Sequence, residues 1–272
     1  MLSFSVLLAI YKNDNPRFLH EALQSLVEQT LVPNEVVIVI DGPIGQTLSS
    51  IVEQYQQQHT ISWKLIALEE NVGLGKALAI GLNHCSYDVV ARMDSDDICY
   101  QDRFEKQLQF LQSNPPICAV GTYITEFIAQ PNDINKIKVV PATHAQIIAF
   151  SKLRNPMNHP TVMFRKSAVV DAGGYMHMPL FEDYFLWMRM IHKGYQMANL
   201  KEPLLHFRFS EQALNRRHGI SYLKKEFDFL KSCFQLKLIS TYSFSRALVT
   251  RLPLRLLPKS VLQLVYTKLL RV

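Results

Sequence analysis

Six consecutive residues, Arg92-Met93-Asp94-Ser95-Asp96-Asp97, put three carboxylates within four positions, directly after an apolar run. Carboxylates this close repel one another, and a divalent cation relieves the repulsion while taking oxygen ligands. Alternate residues of an extended segment point the same way, so Asp94 and Asp96 can face one ligand together. Oxygen-only ligands at a strand end suit Mg²⁺ or Mn²⁺ carrying a diphosphate. The competing reading is a solvated acidic turn ahead of a helix that starts near Gln101. A second acidic pair, Glu182-Asp183, opens the aromatic-rich segment Tyr184-Phe185-Leu186-Trp187. The helix dipole favours carboxylates at an N-terminus, so capping alone accounts for the pair. The chemical alternative is a general base that takes the proton of an acceptor hydroxyl.

Other signals are weaker. Asn71-Val72-Gly73-Leu74-Gly75-Lys76 lets backbone N–H groups approach an anion, although it reads equally as a plain helix start. It is neither a complete dinucleotide fingerprint nor a P-loop. Asp41, ahead of Gly42, either accepts a bond from a base or ribose or forms a turn. The nine histidines make no H-x-x-x-H pair, and His159 and His206 read as structural.

These residues need elements to position them. Phe4 to Ile10 and Glu35 to Ile40 are near-continuous apolar runs and read as buried strands. Further strands are expected at Trp63–Leu68 and Asp88–Met93. Helices are expected over 17–30, up to about Gln58, and over 74–84. Such alternation indicates a parallel sheet covered on both faces, with ligands at the carboxyl ends of the strands. The second half predicts a helix from Gln101 to Ser113, a strand over 117–125 and a loop-rich stretch to Pro160. Next come a strand over 161–165, a helix from Glu182 to His192, and two strands at 197–200 and 204–209. Beyond Gly219 the chain reads as helical.

The chain has 272 residues and a formal net charge of +6, which hides an asymmetry. Residues 201–272 carry 14 Lys+Arg against 4 Asp+Glu, whereas the first 200 are mildly acidic. A basic segment of this kind calls for an anionic partner. From Lys259 to Val272 apolar residues share one helical face and Lys259, Lys268 and Arg271 lie largely on the other, with Arg246, Arg251 and Arg255 upstream and Pro253 and Pro258 as helix breakers. That pattern fits an anionic membrane surface, or packing on the rest of the protein. Arg216 and Arg217 are candidates for meeting a pyrophosphate. No stretch reaches the ~18 apolar residues of a membrane span. The short apolar run near the N-terminus follows no basic region, and four scattered cysteines suggest reduced thiols. The expected location is cytoplasmic, peripheral on the inner face of the cell membrane.

The order of these motifs resembles the family 2 glycosyltransferases over nearly all of residues 1–200, and most closely the bacterial type that builds O-antigen, capsule or exopolysaccharide. The resemblance implies the GT-A fold, a Rossmann-like αβα sandwich with a mostly parallel sheet. Residues 1–210 would form the catalytic domain, divided near 100 into nucleotide and acceptor halves, and 211–272 a basic helical extension. It further implies that Ala9, Tyr11 and Asp41 hold the uracil and ribose of a UDP-sugar, with Asn71, Gly73 and Arg92 on the nucleotide side. Asp94 and Asp96 match the D-x-D signature, Asp96 touching Mn²⁺ or Mg²⁺ and Asp94 ribose or metal. Asp97 would touch the donor sugar, and Asp183 would be the catalytic base with Glu182 beside it. The processive Q-x-x-R-W signature is absent, which favours transfer of one hexose, galactose or glucose, to a lipid-pyrophosphate-linked sugar. Two rivals are a sugar-nucleotide pyrophosphorylase and a non-catalytic basic membrane or nucleic-acid binder. The first wants a glycine-rich basic loop where Tyr11-Lys12-Asn13-Asp14-Asn15 stands. The second leaves the acids after the fourth strand unexplained, so nucleic acid is not an expected partner.

Overall fold

A computed structural model describes residues 2–134, 136–209 and 219–256, without the side chains of 252–256. Four strands, β1 (Phe4–Ile10), β2 (Glu35–Ile40), β3 (Ser62–Ala67) and β4 (Val89–Arg92), run parallel in the order β3-β2-β1-β4. The sheet then becomes mixed. β8 (Met163–Arg165) lies antiparallel on β4, and β6 (Ile117–Phe127) antiparallel on β8. β9 (Gln196–Arg208) runs parallel to β6 and carries the two-residue β5 (Ile98–Cys99) on its other side. The short β7 (Lys136–Lys138) pairs with β6 off this path.

Side chains alternate across each strand, so both faces of the sheet must be covered. On β1, Phe4, Val6, Leu8 and Ile10 enter one core while Leu7 enters the other. The first core is closed by α1 (Pro16–Val27), α2 (Gln46–Gln58) and α4 (Arg103–Ser113). The second is closed by α3 (Leu74–His84), α5 (His144–Ser151), α6 (Lys166–Asp171) and α7 (Glu182–His192). The result is the expected three-layer α/β sandwich.

α7 is buried on two sides. Leu186, Trp187 and Met190 pack on the sheet, whereas Phe181, Tyr184, Phe185 and Met188 meet Tyr222, Phe229, Leu230 and Cys233 of α8 (Gly219–Gln235) and Ala247 of α9 (Thr241–Leu256). A helix covered all round must be apolar all round, which accounts for its aromatic run. Residues 210–218, where the expected domain division and Arg216 and Arg217 fall, lie outside the described residues, as does the basic face from Lys259 to Val272.

Three local expectations are corrected. The two strands expected at 197–200 and 204–209 are one strand, with its irregularity where Pro203 faces Tyr123. The stretch expected to be loop-rich contains α5, begun by a capping box in which Thr143 and Gln146 bond reciprocally. α9 runs on through Pro253, three residues before its end, where a proline costs the helix one hydrogen bond. Gly81 on α3 tests how tightly the layers meet, because a Cβ there would lie 2.5 Å from both Leu7 Cδ1 and Val39 Cγ2, two fully buried methyls. Alanine gains about 1 kcal/mol of helix propensity, but overpacking costs about 1–3 kcal/mol. Gly81→Ala is therefore expected to lower the urea midpoint at unchanged slope; a raised midpoint would show that the layers have slack.

Candidate active site

The parallel strands deliver the loops after Ile10, Ile40, Ala67 and Arg92 to one edge of the sheet. Ala9 pairs with Val39 beside this edge. Tyr11 follows, its N–H donating to Asp14 Oδ2 at 3.1 Å. Asp41 accepts from Val72 N at 2.7 Å, Gly73 N at 3.1 Å and Asn71 Nδ2 at 3.0 Å, so both carboxylate oxygens are engaged by the loop before α3. Gly42, at φ +84°, permits the approach, since a Cβ there would lie 2.6 Å from Asn71 N. Asn71 and Gly73 thus sit beside Asp41, and Gly73 also caps α3.

The acid loop is the centre of the edge. Carboxylate oxygens of Asp94, Asp96 and Asp97 lie within 4.8 Å of one another. Asp96 reaches solvent, yet its carboxylate lies in a crowded recess. That burial, then the charges of Asp94 and Asp14, push it up to about 7 against the pull of Arg92 and Arg208. Asp14, unassigned by the sequence, is a fourth acid here. It accepts from Ser95 Oγ at 3.0 Å, and burial raises it to about 6. Asp97, expected at the donor sugar, is instead fully buried. Its Oδ1 accepts from Arg208 N at 2.8 Å, its Oδ2 has no hydrogen-bond partner, and burial with Asp96 and Asp94 raises it well above the carboxylate range. Crowded hard oxygens, one of them orphaned, fit a divalent cation.

Three buried arginines fix this loop. Arg103 Nη2 donates to Arg92 O at 2.7 Å from beneath. Arg208 Nε donates to Asp96 O at 2.8 Å, its guanidinium held between the rings of Phe18 and Phe127 and paired with Glu21. Arg92 itself, 1% exposed, pairs with Asp94, while its Nε and Nη1 have no hydrogen-bond partner. Burial opposes its charge, but the bond and charge of Asp94, together with Tyr175 and Asp97, raise its pKa.

Glu182 and Asp183 reach the same recess from the first turn of α7. A Cβ on Gly75 would lie 3.2 Å from Glu182 Cβ and 2.9 Å from Met176 O, so α3 and the start of α7 nearly touch. Burial and then the Asp183 charge push Glu182 up to about 7, with Arg92 opposing and Asp94 adding its like charge. The acid loop and the acid pair therefore lie close enough to act on each other's charge. Asp183 is raised by burial and held down first by Asn155, whose Nδ2 donates to its Oδ2. Asn155 was missed by sequence reasoning; a polar residue before Pro156 was its only signal. His159, half-buried and held well below its ordinary pKa by burial of the ring and by Arg92, is bonded to Tyr175 Oη at 3.0 Å. His206 bonds Thr125 and stacks on Tyr100, so both histidines are structural as expected.

Residues 5–221 match the model of glycosyl transferase family 2. The chain is a family 2 glycosyltransferase. An Escherichia coli protein named UDP-Gal:alpha-D-GlcNAc-diphosphoundecaprenol beta-1,3-galactosyltransferase is 40% identical to this glycosyltransferase over 268 residues, covering 98% of the chain and 96% of that protein. The amylovoran biosynthesis glycosyltransferase AmsE of Erwinia amylovora is 37% identical over 265 residues, covering 97% and 98%. Among solved structures, the mannosyltransferase PcManGT of Pyrobaculum calidifontis, in complex with GDP-Man and Mn²⁺, superposes with a TM-score of 0.66 at 15% identity. The match covers 98% of this chain and 80% of that one, and shows that the glycosyltransferase has the GT-A fold.

The raised acids set a pH dependence. Asp96 binds its proton in the folded state up to about pH 7, whereas the unfolded chain releases it near 3.8. The folded state therefore holds more protons through this window, and the contribution of Asp96 to stability falls as pH rises from about 4 to about 7. Asp96→Asn removes that penalty, so without added metal the stability of the variant relative to wild type is expected to increase across the window and level above it. In Mn²⁺ the order is expected to reverse, because the variant offers a cation one carboxylate fewer. Calorimetry from pH 4.5 to 8 checks both; a flat difference in either condition contradicts the assignment.

Proposed function

We propose that this enzyme transfers one galactose from UDP-galactose to a sugar carried on a lipid pyrophosphate, inverting the anomeric carbon, in bacterial surface polysaccharide synthesis. UDP-glucose is the other donor expected from the sequence. The observation that carries the reading is the 40% identity, over 98% of the chain, to a galactosyltransferase named for that donor and a GlcNAc-diphosphoundecaprenol acceptor. The lipid acceptor would set the reaction at the inner face of the cell membrane. No helix among the described residues is long and apolar enough to cross that membrane.

Ala9, Tyr11, Asp41 and the Asn71–Gly73 loop form the side that takes uracil and ribose. Arg92 adds buried positive charge beside the diphosphate, with two guanidinium nitrogens free of protein hydrogen bonds. Asp94 and Asp96 hold Mn²⁺ or Mg²⁺, which when bound supplies positive charge for the departing diphosphate. Asp97 shapes the loop from behind, its bond to Arg208 taking the place of the donor-sugar contact expected from the sequence. Asn155 orients the carboxylate of Asp183 through its Oδ2, and that carboxylate removes the proton of the acceptor hydroxyl. The freed oxygen bonds to the anomeric carbon from the face opposite UDP, and the carbon–oxygen bond to UDP breaks with its electrons leaving on UDP. An α-linked donor thus gives a β-glycoside. Glu182, held near neutrality, limits the negative charge that builds beside Asp183.

Two measurements test these roles by UDP release with UDP-galactose, Mn²⁺ and a synthetic GlcNAc-diphosphate-lipid. Asp96→Ala and Asp183→Asn are each expected to abolish transfer, the second by about 10²–10⁴ in kcat, with the fold intact. Near-normal turnover in either variant overturns the site assignment. Asn155→Ala removes the bond that holds Asp183 down, so the acid limb of the kcat profile should move to higher pH. An unmoved limb means that Asn155 does not tune the base.

A further inference from the structure

Asn155, which donates to Asp183, lies in an irregular segment between Ser151 at the end of α5 and His159. Such a segment is placed by what its polar groups bond to, not by a helix or sheet ladder of its own. Here the bonds come from β9. Asn199 is 4% exposed, and its Nδ2 donates to Pro141 O at 2.6 Å and to Pro156 O at 3.1 Å, carbonyls on either side of α5. Its main-chain N–H donates to Ala142 O at 2.9 Å. Pro156 follows Asn155 directly. Asn155 Oδ1 accepts from Met157 N at 3.3 Å, so its Nδ2 is the end turned to Asp183. An unbroken path of bonds and chain thus runs from the sheet to the carboxylate. The reach depends on Gly121 of β6, the residue paired with Asn199. A Cβ there would lie 2.2 Å from Asn199 Oδ1, so the amide occupies space that a side chain at 121 would fill. Two carbonyl acceptors demand the NH₂ group on their side, which leaves Oδ1 enclosed without a hydrogen-bond partner. An apolar side chain of like size would avoid that unfavourable oxygen, but could not donate to the carbonyls.

We infer that Asn199 is a positioning residue for proton transfer: it holds the Asn155–Pro156 segment so that the Asn155 amide stays on Asp183. The inference rests on Asp183 being the base proposed above. Asn199 acts through the carbonyl of Pro156 and meets no substrate. A hydrogen bond to the charged form of a carboxyl favours that form, so a displaced Asn155 leaves Asp183 protonated to higher pH. The other titratable groups acting on Asp183 are Glu182 beside it on α7, Arg92 of β4 and Tyr175 of the loop before α7. A substitution at 199 leaves the chemistry of all three unchanged.

Carbon-13 NMR of aspartate-labelled protein follows the Asp183 carboxyl directly, its signal identified by its loss in Asp183→Asn. No sugar is needed, so failure of the galactosyl-transfer reading leaves this result standing. Asn199→Leu keeps the volume and loses the donor, and is expected to raise the Asp183 midpoint by about 0.5–1 pH unit. Gly121→Ala retains Asn199 but drives its amide off the two carbonyls, and should move the midpoint the same way. Combined with Asn155→Ala, Asn199→Leu should add no further rise, because its route to Asp183 is already cut. In turnover the acid limb of kcat should follow, with kcat about three- to tenfold lower on its acid side. An unmoved midpoint in Asn199→Leu overturns the inference. So does a rise that persists undiminished in the Asn155→Ala background, since Asn199 then acts by another route. Loss of the fold in both Asn199→Leu and Gly121→Ala, read by circular dichroism, overturns it too, because the amide then serves the fold and not the base. A midpoint that moves while the kcat limb does not leaves Asn199 positioning the carboxyl and sinks Asp183 as the base instead.

Discussion

The guanidinium of Arg92 has almost no access to water, and five carboxylates surround it electrostatically: Asp94, Asp96, Asp97, Glu182 and Asp183. Neither side of this arrangement is tenable alone. An unpaired buried arginine loses several kcal/mol of solvation, and acids packed this closely without a cation would drive one another apart. Arg92 sits at the last position of β4, so the strand that builds the sheet also places the charge. Its carbonyl is held by Arg103 from α4, and its far side faces the first turn of α7. The cleft is thus defined by one charge whose position the core fixes.

α7 carries the other half of the chemistry and has no solvent face of its own. Sheet-facing and outward-facing residues are both apolar, and Arg189 within it donates hydrogen bonds to the carbonyls of Ala172 and Gly174 and lies over the ring of Phe185. Enclosure on two sides holds Glu182 and Asp183 at fixed distance from Arg92, and it also desolvates them. The same packing therefore positions the acids and raises their pKa. Positioning and tuning are one act of folding here, which is how a preorganised site avoids reorganising during reaction.

Much of this was legible in the sequence where local pattern and tertiary role agree. β1, β2, α3 and α7 occupy their expected residues because a buried strand or helix advertises itself through uninterrupted apolar runs. The D-x-D loop and the Glu182-Asp183 pair were visible because charge clusters beside apolar runs are rare. α5 was not, since Ala145, Ile147, Ile148 and Phe150 lie all round the helix and give no period; its capping box was the readable signal. β9 looked like two strands because Pro203 interrupts the ladder pattern without ending the strand. Asn155, Tyr175 and His159 act only through partners distant in sequence, and no spacing rule reveals that. Asp41 and Asp97 were recognised, but not that backbone N–H groups would claim them.

β5 is two residues long and is fastened by Leu205 and His206 of β9. Between it and the end of β4 lie only Met93 to Asp97, clamped in addition at Asp97 by the main chain of Arg208. A segment so short, anchored at both ends to one sheet, has no slack with which to spread its charges. The acids are crowded before any ligand arrives, like a latch already cocked. Ligand exchange at this edge can then proceed without remodelling the chain between the two strands, and the freedom to admit or release a substrate must belong to other loops around the cleft.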